Sequence, residues 1–212
     1  MTEPPVLWRP DPDVVARSRI AAFRAWLASH RGVGLADLAD YEALWRWSVA
    51  DLEGFWGAVA EFAGARFHDP PRAVLSDAAM PGAKWFPGAT LNYAEHALAP
   101  GPGKEDDDLA VIFRQEDRAR QQCSFGELRQ HVAAARSALA SLGVGRGDRV
   151  VALAPNAVDT LVAFLATASL GAIWSSCSPD FGPRAIADRF IDGDLLQTFR
   201  NRIVPDHRDD KR

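Results

Sequence analysis

GDRVVALAPNAVDTLVAFLATASLGAIWSSCSPDFGPRAIADRF, from Gly147 to Phe190, decides the fold. Arg149 to Leu153 is an apolar run with β-branched residues, Pro155-Asn156 breaks it, and a helical stretch follows as far as Gly171. A second short run, Ala172-Ile173-Trp174, leads into the polar loop Ser175-Ser176-Cys177-Ser178-Pro179-Asp180-Phe181-Gly182 and then a further helix. Strand, helix, strand, loop, helix is the order of a parallel sheet with crossover helices. Ligands of such sheets gather where loops leave the C-terminal strand ends. The SSCSPDFG loop is therefore the first place to look for function.

Working outward, the 212 residues are 48% hydrophobic, enough for one generous domain or for a helical subdomain plus part of a larger one. Net charge is −4 with acids and bases interspersed, which gives no electrostatic case for a nucleic-acid partner. Met1-Thr2-Glu3-Pro4-Pro5 has neither the basic nor the apolar region of a secretory signal. The longest apolar stretch, Ala157 to Ile173, is interrupted by Asp159, Thr160, Thr167 and Ser169, so it reads as a buried helix rather than a membrane span. Cys123 and Cys177 lie far apart and have no metal-like spacing; two reduced thiols and a cytoplasmic location are expected.

Towards the N-terminus, Asp11-Pro12-Asp13 starts a helix, with Ile20, Phe23, Trp26 and Leu27 at helical spacing up to His30-Arg31-Gly32. Ser48-Val49-Ala50-Asp51 resembles a capping box for a second helix. Its apolar face would be Leu52, Phe55, Trp56, Val59 and Phe62, with Gly64 ending it. Six of the seven tryptophans precede residue 86, more aromatic surface than two short helices can bury between themselves. Residues 1–100 thus read as a helical cap that docks on a larger body. Leu98 to Asp108, rich in Pro and Gly and then acidic, is a surface loop or linker; Leu109 to Phe113 is the first sheet strand. Ser124-Phe125-Gly126-Glu127 is a capping box for a helix reaching Leu142, with Leu128, Val132, Ala135, Leu139 and Leu142 as its buried stripe.

Several chemistries are excluded by spacing. Gly143-Val144-Gly145-Arg146-Gly147-Asp148 follows a helix and precedes a strand, the reverse of a dinucleotide fingerprint, and reads as a helix C-cap and tight turn. The five histidines form no HxxxH or HExxH pair, so no metal ligands are assigned. Ser175-Ser176 lacks the flanking glycines of a nucleophile elbow, and no phosphate-binding G-x-x-x-x-G-K-[ST] is present.

Trp85-Phe86-Pro87-Gly88-Ala89-Thr90-Leu91-Asn92-Tyr93-Ala94-Glu95 resembles the segment by which short-chain acyl-CoA synthetases of the acyl-adenylate-forming superfamily pass from helical cap to large domain. Ser48 to Trp56 resembles the start of that cap, and Ala172 to Phe190 resembles the acetoacetyl-CoA synthetase branch in particular. The likeness covers Leu7 to Phe190. It implies an acid–thiol ligase of lipid metabolism that uses ATP, Mg²⁺ and CoA, forming an acyl-adenylate and passing the acyl group to CoA. It also implies an α/β fold: a cap over residues 1–100, then residues 101–190 as the first βαβαβ part of a parallel-sheet adenylate-forming domain, incomplete. By the resemblance, Ser178, Pro179 and Asp180 match the loop that approaches the CoA nucleotide. Read without it, they are a strand-to-helix turn in which Ser or Asp caps the helix beyond.

The family's phosphate loop with its Lys, its acidic motif near adenine and Mg²⁺, its ribose-binding Asp and its C-terminal Lys have no counterpart in this sequence. No catalytic residue is assigned, and neither ATP, Mg²⁺ nor CoA is expected to bind tightly. From Ile191 (IDGDLLQTFRNRIVPDHRDDKR) the resemblance lapses into a charged tail, residues 191–212, expected to end a truncated or frame-disrupted reading frame. The sequence therefore reads as the N-terminal portion of such a ligase, inactive alone. A non-catalytic CoA- or partner-binding module and one piece of a split ligase stay open as alternatives. No membrane partner is expected, whereas self-association through an unpaired sheet edge is.

Overall fold

The structure, a computed structural model, describes residues 6–32, 40–116 and 118–191. The sequence-based readings of the first five residues and of the tail after Ile191 lie outside the described residues. The chain divides into two compact units, Met1–Leu91 and Asn92–Arg212.

In the first unit the described helices are α1 (Pro12–Ala16), α2 (Arg19–His30), α3 (Tyr41–Ala50) and α4 (Leu52–Phe62). Asp11 caps α1, its carboxylate accepting from the Asp13 amide at 2.8 Å, with Pro12 at the first helical position. The single helix expected from Asp11 to His30 is broken, because the Ser18 hydroxyl accepts from the Ala21 amide at 3.1 Å and starts α2 afresh. A further correction concerns Ser48. It lies in the last turn of α3, where its hydroxyl donates to the Trp45 carbonyl at 2.7 Å. The cap of α4 is Asp51, which accepts from the Gly54 amide at 2.9 Å. Gly64 ends that helix as expected, at φ +65, a region a side chain would resist.

Leu27 and Ala58 are almost fully enclosed, together with Phe23 and Leu44, and Trp26, Trp47, Phe55 and Phe62 pack around them. The centre of the α4 face is thus Ala58, whose small side chain admits the larger groups of α2 and α3. Trp56, expected in the stripe, remains 43% exposed and meets Trp85 edge-on at 5.9 Å. Beyond α4, β1 (Leu75–Asp77) pairs antiparallel with β2 (Lys84–Trp85), a hairpin the sequence did not announce.

The second unit begins with α5 (Tyr93–Leu98), capped by Asn92, whose side-chain amide also donates to the Ala168 carbonyl at 2.9 Å. β3 (Leu109–Gln115) and β4 (Arg118–Ser124) then form an antiparallel hairpin. The first expected strand is therefore present, but it bonds to a polar partner, RARQQCS, that periodicity did not reveal. Helix α6 (Phe125–Ser141) opens with both halves of the expected capping box: Ser124 Oγ accepts from the Glu127 amide, and the Glu127 carboxylate accepts from the Ser124 amide. Leu128 and Val132 are buried, while Leu142, expected inside, is 57% exposed just past the helix end.

Next come β5 (Arg149–Leu153), α7 (Val158–Ser169) and β6 (Ile173–Cys177), a βαβ unit with β5 and β6 parallel and in register from Arg149↔Ile173 to Leu153↔Cys177. α8 (Pro183–Ile191) follows. This is an α/β fold, and its core joins Ala94, Cys123, Leu128, Val132, Val162, Leu165 and Ala166. α7 is the buried helix the sequence implied, and among the described residues no helix is long and apolar enough to cross a membrane. Thr167 is enclosed on α7, its hydroxyl donating to the Ala163 carbonyl at 2.8 Å.

Candidate ligand loop at the ends of the parallel strands

The Gly143–Asp148 segment and the Ser178–Asp180 loop emerge at opposite ends of the β5–β6 pair. Gly143 takes φ +82 as the helix terminator, and the Asp148 carboxylate accepts from the Gly145 amide at 2.8 Å. Gly147 then donates to the Gly171 carbonyl at 3.0 Å, which ties the N-terminal ends of the two strands together. That turn is structural, as its position between helix and strand indicated.

At the other end the Ala154 amide donates to the Cys177 carbonyl at 3.1 Å, so the loops after β5 and after β6 leave side by side. Ser175, Ser176 and Cys177, read in the sequence as loop, are strand residues, and the loop proper runs from Ser178 to Gly182. Within it Ser178 Oγ donates to Asp180 Oδ2 at 2.8 Å and accepts from the Asp180 amide at 3.3 Å. The Phe181 amide returns to the Ser178 carbonyl at 3.2 Å, closing a tight turn around Pro179 and Asp180. Pro179 and Asp180 are exposed and Ser178 is half-buried. The Asp180 carboxylate is turned towards Ser178, so the turn is held by its own side chains. A hydroxyl–carboxylate pair of this kind suits hydrogen-bond donors on a ligand better than phosphates, which the carboxylate repels. Arg184, exposed in the first turn of α8, is the cation nearest in sequence.

Beside the loop after β5 lies an open groove of about 640 Å³, lined by Ile112 to Gln115, Gln121 and Pro155 to Asp159. Its size is that of a small-molecule cleft. The sequence reading overlooked it, although Pro155-Asn156 also leaves a C-terminal strand end. Among the described residues no group of three His, Cys, Asp or Glu could hold a metal ion. Cys123 and Cys177 are both buried free thiols. Burial raises the Cys123 thiol above its ordinary value, with a smaller push from the Glu127 carboxylate.

Residues 41–97 match the family described as acetyl-coenzyme A synthetase N-terminus, and residues 101–199 match AMP-binding enzyme. The acetoacetyl-coenzyme A synthetase of Rhizobium meliloti is 42% identical over 87% of this chain and 27% of its own length. That of Rattus norvegicus is 38% identical over the same shares. A solved structure of acetoacetyl-CoA synthetase from Streptomyces lividans superposes with a TM-score of 0.80 at 47% identity, over 89% of this chain and 29% of that one. Over residues 101–199 the chain is similar to the AMP-binding enzyme family. Within the family it is similar to the N-terminal portion of acetoacetyl-CoA synthetases, and it spans about a quarter of the length of the curated relatives it matches. Phe86 and Gly88 take positive φ (45 and 86), and Asn92 caps α5.

Proposed function

We propose that this chain supplies the N-terminal portion of an enzyme that joins acetoacetate to coenzyme A. The overall reaction is ATP + acetoacetate + CoA giving acetoacetyl-CoA, AMP and diphosphate, with Mg²⁺ accompanying the nucleotide. The likeness to acetoacetyl-CoA synthetases along 87% of the chain carries this reading. The ligands are small molecules rather than nucleic acid, and the protein works in the cytoplasm. Residues 1–100 act as the cap, 101–190 begin the ligase domain, and 191–212 form a divergent tail. Ser178, Pro179 and Asp180 contribute to the approach of CoA, since they stand at the strand ends where ligands of parallel sheets bind.

The residues described do not by themselves fit ATP. Lys84 faces the Asp77 carboxylate at 4.0 Å, and Lys104 donates to the His96 and Ala97 carbonyls at 3.1 and 3.4 Å. Neither lysine is placed to neutralise phosphate charge, the largest electrostatic demand of adenylate formation. Those two engaged lysines favour a second reading beside the first, in which the chain is a CoA- or partner-binding module or one piece of a split ligase. Unpaired strand edges also offer copies of the chain a route to self-association.

The test is an assay of the purified chain with acetoacetate, ATP and CoA, alone and together with the missing portion of a relative. Acyl-CoA formed only in the mixture supports the proposal. Adenylate or acyl-CoA formed by the chain alone refutes the assignment of the phosphate chemistry to another part.

A further inference from the structure

Asn92, the first residue of the second unit, does two things with one side chain. Its Oδ1 caps α5 by accepting from the Glu95 amide at 3.2 Å, and its Nδ2 donates to the Ala168 carbonyl, 76 positions on, at 2.9 Å. Ala168 lies in the last turn of α7, which the chain leaves by a Schellman motif. Gly171 takes φ +69, its amide donates to the Ala168 carbonyl at 2.9 Å, and the Ala172 amide donates to the Thr167 carbonyl at 3.2 Å. The Ala168 oxygen thus accepts from both Gly171 and Asn92, which matches its two lone pairs. Asn92 holds the helix end from outside the helix. β6 starts one residue beyond this motif, and its partner among the described strands is β5 alone. The Ile173 amide meets the Asp148 carbonyl at 2.7 Å as the pairing begins. A lone pair of strands is marginally stable, and a one-residue slip turns every side chain to the opposite face. The register from Arg149↔Ile173 to Leu153↔Cys177 therefore depends on where α7 ends. The same corner seats the helix on the strand: the Tyr93 ring of α5 lies 5.7 Å from Phe164 on α7, and Phe164 lies 6.3 Å from Trp174 on β6.

We infer that Asn92 is a positioning residue for the candidate ligand loop. By fixing the Ala168 carbonyl it sets where α7 stops, and with that the register of β6 and the face from which Ser178 to Asp180 leave the strand. The consequence for CoA rests on the functional reading above; the consequence for β6 does not. Cap and tether separate chemically. Asn92→Asp keeps an acceptor for the Glu95 amide, but its carboxylate has no proton to donate and sets a negative charge against the Ala168 oxygen. Protonation restores a donor to the same group. The facing carbonyl and partial burial move that protonation above the ordinary carboxyl value of about 3.9. A role confined to capping α5 would show no such pH dependence.

The experiment follows amide hydrogen exchange in the full 212-residue chain, with each variant compared with wild type at the same pH. At pH 7.5 Asn92→Asp should exchange the amides from Gly171 to Cys177 about tenfold faster, the effect of one part-buried hydrogen bond lost with its acceptor left against a charge. The amides of α5 and α6 should keep their protection. At pH 4.5 the difference should shrink to about a third, as the protonated group donates again. Asn92→Ser, an uncharged cap too short to reach Ala168, should instead show the same deficit at both pH values, about fivefold. Unchanged exchange in β6 in both variants overturns the inference, as does an equal loss across α6 or a deficit in Asn92→Asp that ignores pH. CoA titrated into the same samples by calorimetry should bind more weakly to Asn92→Asp at pH 7.5. An unchanged or absent CoA isotherm beside a loosened β6 leaves the positioning role standing and removes the loop from the CoA site instead.

Discussion

Arg129 offers the sharpest test of how the second unit is held together. From α6 its guanidinium donates to the Leu98 carbonyl at 2.8 Å, to the Lys104 carbonyl, and to Asp106 Oδ1 at 2.5 Å. It also stands 5.5 Å from the centre of the Phe125 ring. One side chain thereby fastens the Leu98–Asp108 segment, which composition alone marks as a loose linker, to the helix it precedes. The side chain is 20% exposed whereas that of Asp106 is 80% exposed, so the three bonds are unequal. The ion pair contributes about 0–1 kcal/mol after solvent screening. Each charged bond to a part-buried carbonyl contributes roughly 1.5 kcal/mol, the low end for charged donors, because freed carbonyls in a loop regain water. Arg129→Ala should therefore cost about 3 kcal/mol in the second unit. Arg129→Lys should recover less than half, since an ammonium cannot fork to two separate carbonyls. Hydrogen exchange resolved by peptide would read the loss across α6, and limited proteolysis would show new cleavage between residues 99 and 108. A change below about 0.5 kcal/mol, with the loop still resistant to protease, would refute this reasoning.

Other expectations are simpler. Asp51→Ala removes the cap of α4 and should destabilise the first unit by about 1 kcal/mol in urea unfolding, with Asp51→Asn nearly neutral; Ser48→Ala, at the position first read as the cap, should matter less. Cys123 should react with a thiol reagent more slowly at pH 8 than the same residue in the urea-unfolded chain. Its raised value has a defined sign: the neutral thiol's contribution is complete below the ordinary thiol value of 9.0 and is lost as pH climbs through the higher folded value. Stability should thus fall above pH 9 in the wild type, and by less in Cys123→Ala, which equilibrium unfolding at several pH values would show. Asp180→Ala should release the Ser178 hydroxyl and alter the weak CoA affinity measured by calorimetry; an unchanged isotherm would remove this turn from the CoA site.

What could be read in advance follows the range of the interaction concerned. The capping box at Ser124 and Glu127, the Gly64 terminator and the Gly143–Asp148 turn were all legible, because each is settled by residues within a few positions of one another. The parallel β5–α7–β6 unit was legible for a related reason. Its strands are short and apolar, its helix is long and apolar, and the handedness of such crossovers leaves few other arrangements. Where reading failed, two local options competed. Ser48 and Asp51 both suit a helix start, and the choice fell to Asp51 because α3 already occupied Ser48. β4 failed differently: RARQQCS has almost no apolar content, and only its pairing with β3 makes it a strand.

The candidate loop divides along the same line. Its place after β6 was visible in the order of elements, but the strand end at Cys177 depends on a parallel partner 24 positions away, from Leu153↔Cys177, and could not be judged locally. The turn's closure by Ser178 and Asp180 is again local, a hydroxyl and a carboxylate two residues apart on either side of a proline. Such a turn forms with or without a ligand, so its geometry identifies a preformed loop and leaves the ligand to be decided by what neighbours it. Its neighbour on the chain described is the loop that begins at Pro155, which leaves β5 beside it because the Ala154 amide bonds the Cys177 carbonyl. Phosphates of CoA demand several cations, and the loop's own Asp180 carboxylate carries the opposite charge. The Ser178–Asp180 pair therefore suits the hydrogen-bond donors of a ligand better than its phosphates.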